Sequence, residues 1–200
     1  MDLAAATPLL CAGITVYSPM MHFGLRTNMK FGVVGLGGLG HMAAKFGVAF
    51  GNHTTVISRG TGKKASALGD LGVDAFIDSK NAEEMAAAAK TFDFLLCTVS
   101  ADYDVGEYLN LLKHDGKFVV VGVPESARPI QMNPLIFRRI SIAGSLIGGV
   151  KETQEMLDFC GKKNIVCDIE TISAAQIDEG YERTVKGDVK YRFVIDTATI

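Results

Sequence analysis

Three glycines, Gly35, Gly37 and Gly40, stand in the spacing G-x-G-x-x-G. That spacing gives the chemistry to the backbone. The first glycine permits a tight turn, the second lets the main chain approach a diphosphate, and the third lets the following helix pack closely on its strand. With Leu36, Gly38 and Leu39, the turn would present free amides at a helix N-terminus to an anion. The chain has 22 glycines in 200 residues, so the spacing alone could serve packing. Context favours the anion reading, because the motif follows the apolar run "KFGVV" and opens the small-residue run "GHMAAKFGVAFG". A dinucleotide domain places an acid about 20 residues past this turn, on the ribose hydroxyls. Here that place holds Ser58, followed by Arg59, with Lys63 and Lys64 close behind. No carboxylate at that place repels a 2′-phosphate, so NADP fits better than NAD. One charge-assisted hydrogen bond contributes about 1.5 to 3 kcal/mol, enough for roughly ten- to hundredfold discrimination. The alternative is a solvated basic cluster at a helix start.

A second chemical candidate is Cys11, in the apolar stretch "PLLCAGITVYSP". The setting suits either a buried small hydrophobe or a thiolate ligand. Cys11, Cys97, Cys160 and Cys167 are scattered and include no C-x-x-C pair, against a zinc knuckle or a disulfide framework. Most are expected to be buried reduced thiols. His22, His41, His53 and His114 make no i, i+4 pair with one another or with Cys11, and read as ordinary surface or core histidines.

These residues need elements to hold them. After Lys30, short β-rich runs alternate with segments of helical period. "KFGVVGLG", "HTTVIS", "DAFID", "FDFLLCTV" and "KFVVVGV" read as strands, and "SIAGSLIG" as a sixth. Helices through "GHMAAKFGVAFG", "KKASALGDLG", "AEEMAAAAK" and "GEYLNLLKHDG" connect the first five. The strands are apolar on both faces, as parallel strands covered by helices must be. The expected fold is α/β, an open doubly wound parallel sheet of six strands with right-handed crossovers. Residues 1–29 show no strand alternation and begin as a helix, 30–150 form the dinucleotide-binding domain, and 151–200 carry the helix "AAQIDEGYERTVKG" and the isolated strand "DVKYRFVID". Neither end has a place in the six-strand sheet, so both read as pieces of a second folding unit.

Composition limits the partners. Apolar residues make up 48% of the chain, ample for a core, and 20 basic residues nearly balance 22 acidic ones. No polycation is available for nucleic acid, and no basic amphipathic stretch suits a lipid surface. No apolar run reaches the roughly 18 residues of a membrane span, and the N-terminus lacks a secretion signal's pattern. A cytoplasmic protein is expected.

Taken together, "PLLCAGITVYSP", "GLGGLGHMAAKF", "GSLIGGVKETQEMLDFC" and "DVKYRFVID" closely resemble the zinc-dependent medium-chain alcohol dehydrogenases, in their cinnamyl alcohol dehydrogenase branch. The resemblance covers essentially the whole chain but only the later part of such an enzyme, whose N-terminal catalytic domain would precede Met1. It implies that Cys11 is one ligand of a catalytic zinc whose other ligands, with the proton relay, belong to that missing part. It places Thr15 beside the nicotinamide, the turn from Gly35 to Gly40 on the diphosphate, and Ser58, Arg59 and Lys63 in the 2′-phosphate segment. Arg59 and Gly60 depart from that segment's usual serines. Thr98, Gly122, Ser145, Leu146 and Ile147 match positions bordering the cofactor's ribose and nicotinamide end, with strand-end packing as the alternative.

The resemblance further implies hydride transfer between NADP(H) and an alcohol or aldehyde, zinc in the complete enzyme, and a homodimer formed through the sixth strand at about residues 141–149. This chain, holding the cofactor half, is expected to bind NADP(H) and to be inactive alone. A different reading is a catalytically silent NADP-binding dimerisation module. A methyltransferase also carries a glycine-rich turn after its first strand. It would want a carboxylate where Ser58 stands, and it leaves "PLLCAGITVYSP" and "DVKYRFVID" without a role.

Overall fold

The computed structural model describes residues 1–200. Its first elements are the short helix α1 (Leu3–Ala6), a 3-10 turn (Thr7–Leu10) and the helix α2 (Ala12–His22). Six strands follow: β1 (Lys30–Val34), β2 (His53–Ser58), β3 (Ala75–Asp78), β4 (Phe92–Cys97), β5 (Leu112–Val120) and β6 (Ser141–Gly144). They form one sheet in the order β3-β2-β1-β4-β5-β6, with every pairing parallel. The connections carry α3 (Gly40–Ala49), α4 (Lys64–Gly69), α5 (Ala82–Ala87), α6 (Val105–Leu111) and α7 (Met132–Arg138). This is the doubly wound sheet expected from the alternation, and its order reverses between β1 and β4.

The two faces of the sheet have separate cores. On one, α2, α3, α4 and the long helix α8 (Val150–Lys163) bury Leu9, Met20, Phe31, Phe46, Phe94 and Met156 in a cluster of 26 residues. On the other, α5 and α6 cover Ile57, Phe92, Leu95, Tyr108 and Phe118 in a cluster centred on 12 residues. The small-residue run in α3 lets that helix lie close to the sheet. A Cβ at Gly47 would stand 2.6 Å from the Phe31 ring and 2.7 Å from Thr54 Oγ1. Helix α8 is fixed to α2 by Glu152, which accepts from the Gly149 amide at 2.9 Å and from Ser18 Oγ at 3.0 Å.

The elements at the C-terminal end differ from expectation. "DVKYRFVID" is not an isolated strand: β8 (Arg192–Asp196) pairs in parallel with β7 (Ile169–Ser173), joined through α9 (Ile177–Lys186). β7 is short and only half-buried, with no fully buried residue, so its sequence IETIS carries a weak strand pattern. Helix α6 stops at Leu111 rather than running to Gly116, because the chain enters an irregular start of β5 in which Asp115 has φ 61°. The sixth strand is confined to Ser141–Gly144, and α7 had no counterpart in the sequence reading. No single helix is long and apolar enough to cross a membrane.

Candidate functional site

Because the six strands are parallel, their carboxyl ends lie along one edge. Gly35 follows β1, Ser58 ends β2, Thr98 follows β4, Gly122 lies just past β5, and Ser145 follows β6. A cleft of about 990 Å³ opens at this edge. It brings together Gly35, Leu36, Gly37, Gly38 and Leu39 with Ser58, Arg59, Lys63 and Thr98.

The three motif glycines have separable reasons. Gly35 has φ +91°, in the left-handed region, and lets β1 turn towards α3. A Cβ at Gly40 would stand 2.0 Å from the Gly35 carbonyl oxygen, so only glycine closes this turn. At Gly37 a Cβ would meet nothing within 4 Å. Packing therefore does not account for Gly37, and the free space beside it fits the close approach of a ligand. Thr98 supports the turn from below, donating from Oγ1 to the Val34 oxygen at 3.0 Å and the Gly35 oxygen at 3.3 Å.

The basic segment past β2 is arranged less simply than its sequence. Lys63 lines the cleft, but its ammonium donates to the Leu36 carbonyl at 2.7 Å, and burial lowers its pKa. It is tied to the glycine turn rather than solvated. Arg59 is exposed at the cleft. The Asp78 carboxylate lies nearby and accepts from the Gly60 amide at 2.8 Å and the Lys80 amide at 2.9 Å. Those two amides hold its pKa below the usual carboxylate value.

The remaining candidates are not in this cleft. Gly40 is buried under the turn, and Gly122 packs on the chain after β4, where a Cβ would stand 2.4 Å from the Val99 oxygen. Thr15 is buried in α2. Leu146 and Ile147 are exposed in the loop after β6, where Ser145 donates its amide to Val120. That loop abuts α2, since a Cβ at Gly148 would stand 2.8 Å from Ile14 and 3.0 Å from Ser18. Cys97, Cys160 and Cys167 are buried thiols, whereas Cys11 is exposed. No group of three or more His, Cys, Asp or Glu side chains is placed to hold a metal ion. Catalytic zinc needs three protein ligands and an open position. The residues of this chain do not by themselves fit one.

Sequence reasoning missed Arg192. At the start of β8 it lies against the glycine turn, so that a Cβ at Gly38 would stand 2.5 Å from its Nε. That Nε is buried without a hydrogen-bond partner, and the guanidinium enters no ion pair. A cation thus faces the turn together with its open glycine and helix N-terminus. Beside it, Tyr191 is 4% exposed and its ring stacks on His41, with centroids 4.7 Å apart and planes at 14°. His41 Nδ1 lies 3.2 Å from the Gly37 oxygen, and His41 Nε2 accepts from the Asp168 amide at 3.4 Å. Burial, reinforced by Lys45, pushes the His41 pKa down to about 4. Nothing local in the sequence links position 41 to position 191; the basic Arg192 opening a strand was the only available signal.

Residues 38–162 match the family described as zinc-binding dehydrogenase. The chain is 51% identical over 200 residues to an aldehyde reductase, YahK, of Escherichia coli (strain K12), covering 100% of this chain and 57% of that protein. It is 52% identical over 199 residues to cinnamyl alcohol dehydrogenase 8 of Arabidopsis thaliana, covering 99% and 55%. Among solved structures, a cinnamyl alcohol dehydrogenase from Sorghum bicolor superposes with a TM-score of 0.96 at 48% identity, covering 99% of this chain and 56% of that one. A CAD from Helicobacter pylori complexed with NADP(H) superposes with a TM-score of 0.85 at 40% identity, covering 96% and 54%. The chain spans little more than half the length of the curated relatives it matches.

Proposed function

Since this chain belongs to the zinc-binding dehydrogenase family, we propose that it binds NADP(H) and supplies the cofactor half of a cinnamyl-type alcohol dehydrogenase or aldehyde reductase. The observation that carries the reading is the phosphate turn: Gly37 is open, and the unpartnered Nε of Arg192 lies against Gly38. Arg59 and Lys63 at the end of β2 favour the 2′-phosphate, and the Helicobacter pylori relative in complex with NADP(H) supports the same choice.

When bound, the nicotinamide cofactor gives or takes the hydride exchanged with the alcohol carbon. The chain's own residues bind and orient it. The amides after Gly37 would hold the diphosphate, and Arg192 would neutralise it. Thr98 holds the first peptide of the turn, and Lys63 ties the 2′-phosphate segment to Leu36. Cys11, exposed and alone, is a single ligand position for zinc at most. Accordingly the chain by itself binds cofactor, stays metal-poor and does not turn over, and a homodimer through β6 and a cytoplasmic location complete the reading.

Calorimetry with NADPH and NADH tests it. NADPH should bind roughly ten- to hundredfold tighter, and the double variant Arg59→Ala and Lys63→Ala should lose most of that preference. Equal affinities would mean that neither charge meets the 2′-phosphate, Arg59 staying in solvent and Lys63 serving only its bond to Leu36. Metal analysis and an assay with cinnamaldehyde and NADPH complete the test. Stoichiometric zinc with zinc-dependent turnover would overturn the claim of inactivity, whereas cofactor binding without turnover agrees with it.

A further inference from the structure

Arg192 is held over the glycine turn by a chain of contacts that the dinucleotide reading, on which this inference rests, does not itself require. We propose that His41 and Tyr191 are positioning residues for the cofactor diphosphate, acting as one fastening that sets Arg192 against Gly38. The imidazole is shared between the two parts it joins. Its Nδ1 side meets the Gly37 oxygen of the turn at 3.2 Å, and its Nε2 accepts from the Asp168 amide at the entrance to β7 at 3.4 Å. One neutral tautomer serves both contacts, with the proton on Nδ1 donated to Gly37. Stacked on that ring, Tyr191 is anchored at both its ends. Its amide donates to the Asp168 oxygen at 2.9 Å, and its hydroxyl lies 3.0 Å from Ser66 Oγ on α4. The next residue in the chain is Arg192.

A second tie runs alongside. Lys45, one turn along α3 from His41, pairs with Asp168 at 2.6 Å and donates to the Val166 oxygen at 2.9 Å. The β7–β8 unit is therefore fixed to the helix whose N-terminus carries the glycine turn. An arginine side chain is long and flexible, and holding its backbone in place reduces the freedom it must give up when it meets an anion. If the stack is lost, Arg192 keeps its charge but not its place.

The test compares two probes on the full chain, NADPH and adenosine 2′-monophosphate, which has the adenosine and 2′-phosphate but no diphosphate. Arg192→Ala should weaken NADPH binding about ten- to hundredfold and leave adenosine 2′-monophosphate unchanged. Tyr191→Leu and His41→Leu should reproduce that selective loss. Combined with Arg192→Ala, neither should cause a further one, because both act through the guanidinium. Tyr191→Phe, which keeps the stack, should recover part of the affinity. Wild-type NADPH binding in the Tyr191 and His41 variants, equal losses for both probes, or losses that multiply with Arg192→Ala would each overturn the inference. Should either leucine variant fail to fold by circular dichroism, Tyr191→Phe and Ser66→Ala carry the comparison, with a smaller but still diphosphate-selective loss expected. A wild-type chain that binds neither probe would instead overturn the dinucleotide reading itself.

Discussion

His41 is fully buried among Lys45, Asp168 and Arg192, and its pKa of about 4 is set first by desolvation and then by the Lys45 charge. In an unfolded chain a histidine titrates near about 6.5. Above that value the imidazole is neutral in both states. Between 6.5 and 4 the unfolded chain takes up a proton that the folded one refuses, so stability falls as the pH falls, by up to roughly 3 kcal/mol. The variant His41→Phe keeps an aromatic ring but cannot titrate. Urea unfolding at about pH 7 and about pH 4 should therefore show a smaller loss for the variant than for the wild type, and equal losses would mean that another group carries the acid sensitivity. At this scale the sequence was only partly legible. The motif glycines announced themselves through spacing. His41 did not, because its role comes from a ring more than a hundred positions away.

Among the elements, the turn from β1 into α3 is where sequence and structure agree most closely, and where glycine substitutions should separate folding from binding. Gly40→Ala drives a methyl group against the Gly35 carbonyl and should destabilise the chain by about 1 to 3 kcal/mol or more. By contrast, Gly37→Ala meets nothing, so stability should stay within about 0.5 kcal/mol, while the methyl would occupy the space proposed for the diphosphate. Thermal melts with and without NADPH distinguish the two: the first variant melts early in both, the second melts normally but loses the cofactor-induced shift. A Gly37→Ala chain that kept the shift would show that the ligand lies elsewhere. The six sheet strands were readable because apolar residues on both faces leave few alternatives for such short runs. β7 was not, since a half-buried two-stranded ribbon needs only a few apolar positions, and Glu170 within it is spent on Arg183 and the Lys190 amide.

For the molecule as a whole, the outer strand β6 is the exposed end of the sheet, and the surface around it is apolar. Phe137 is 76%, Leu146 83% and Val150 89% exposed, with Ile136 and Ile147 close by in sequence. An open strand edge next to such side chains favours pairing with a second copy about a two-fold axis. Sedimentation at micromolar concentration should give a dimer, and Phe137→Asp, at a position outside every cofactor candidate, should shift it towards monomer with NADPH binding unchanged. A stable wild-type monomer would refute the pairing. The other end of the chain bears on timing rather than association. Ser66 and Tyr191 lie 125 positions apart, so Arg192 comes to lie against the glycine turn only when β8 docks on a sheet built earlier along the chain. Bringing ends together across so long a loop costs entropy that only the finished contact returns. A dinucleotide bound as proposed would therefore favour molecules with β8 docked over those with it undocked, by about 2.7 kcal/mol when present at a hundred times its dissociation constant. Through that preference NADP(H) would act as a check on its own apoprotein, protecting chains finished as far as Arg192 and leaving those with an undocked tail to be unfolded or degraded.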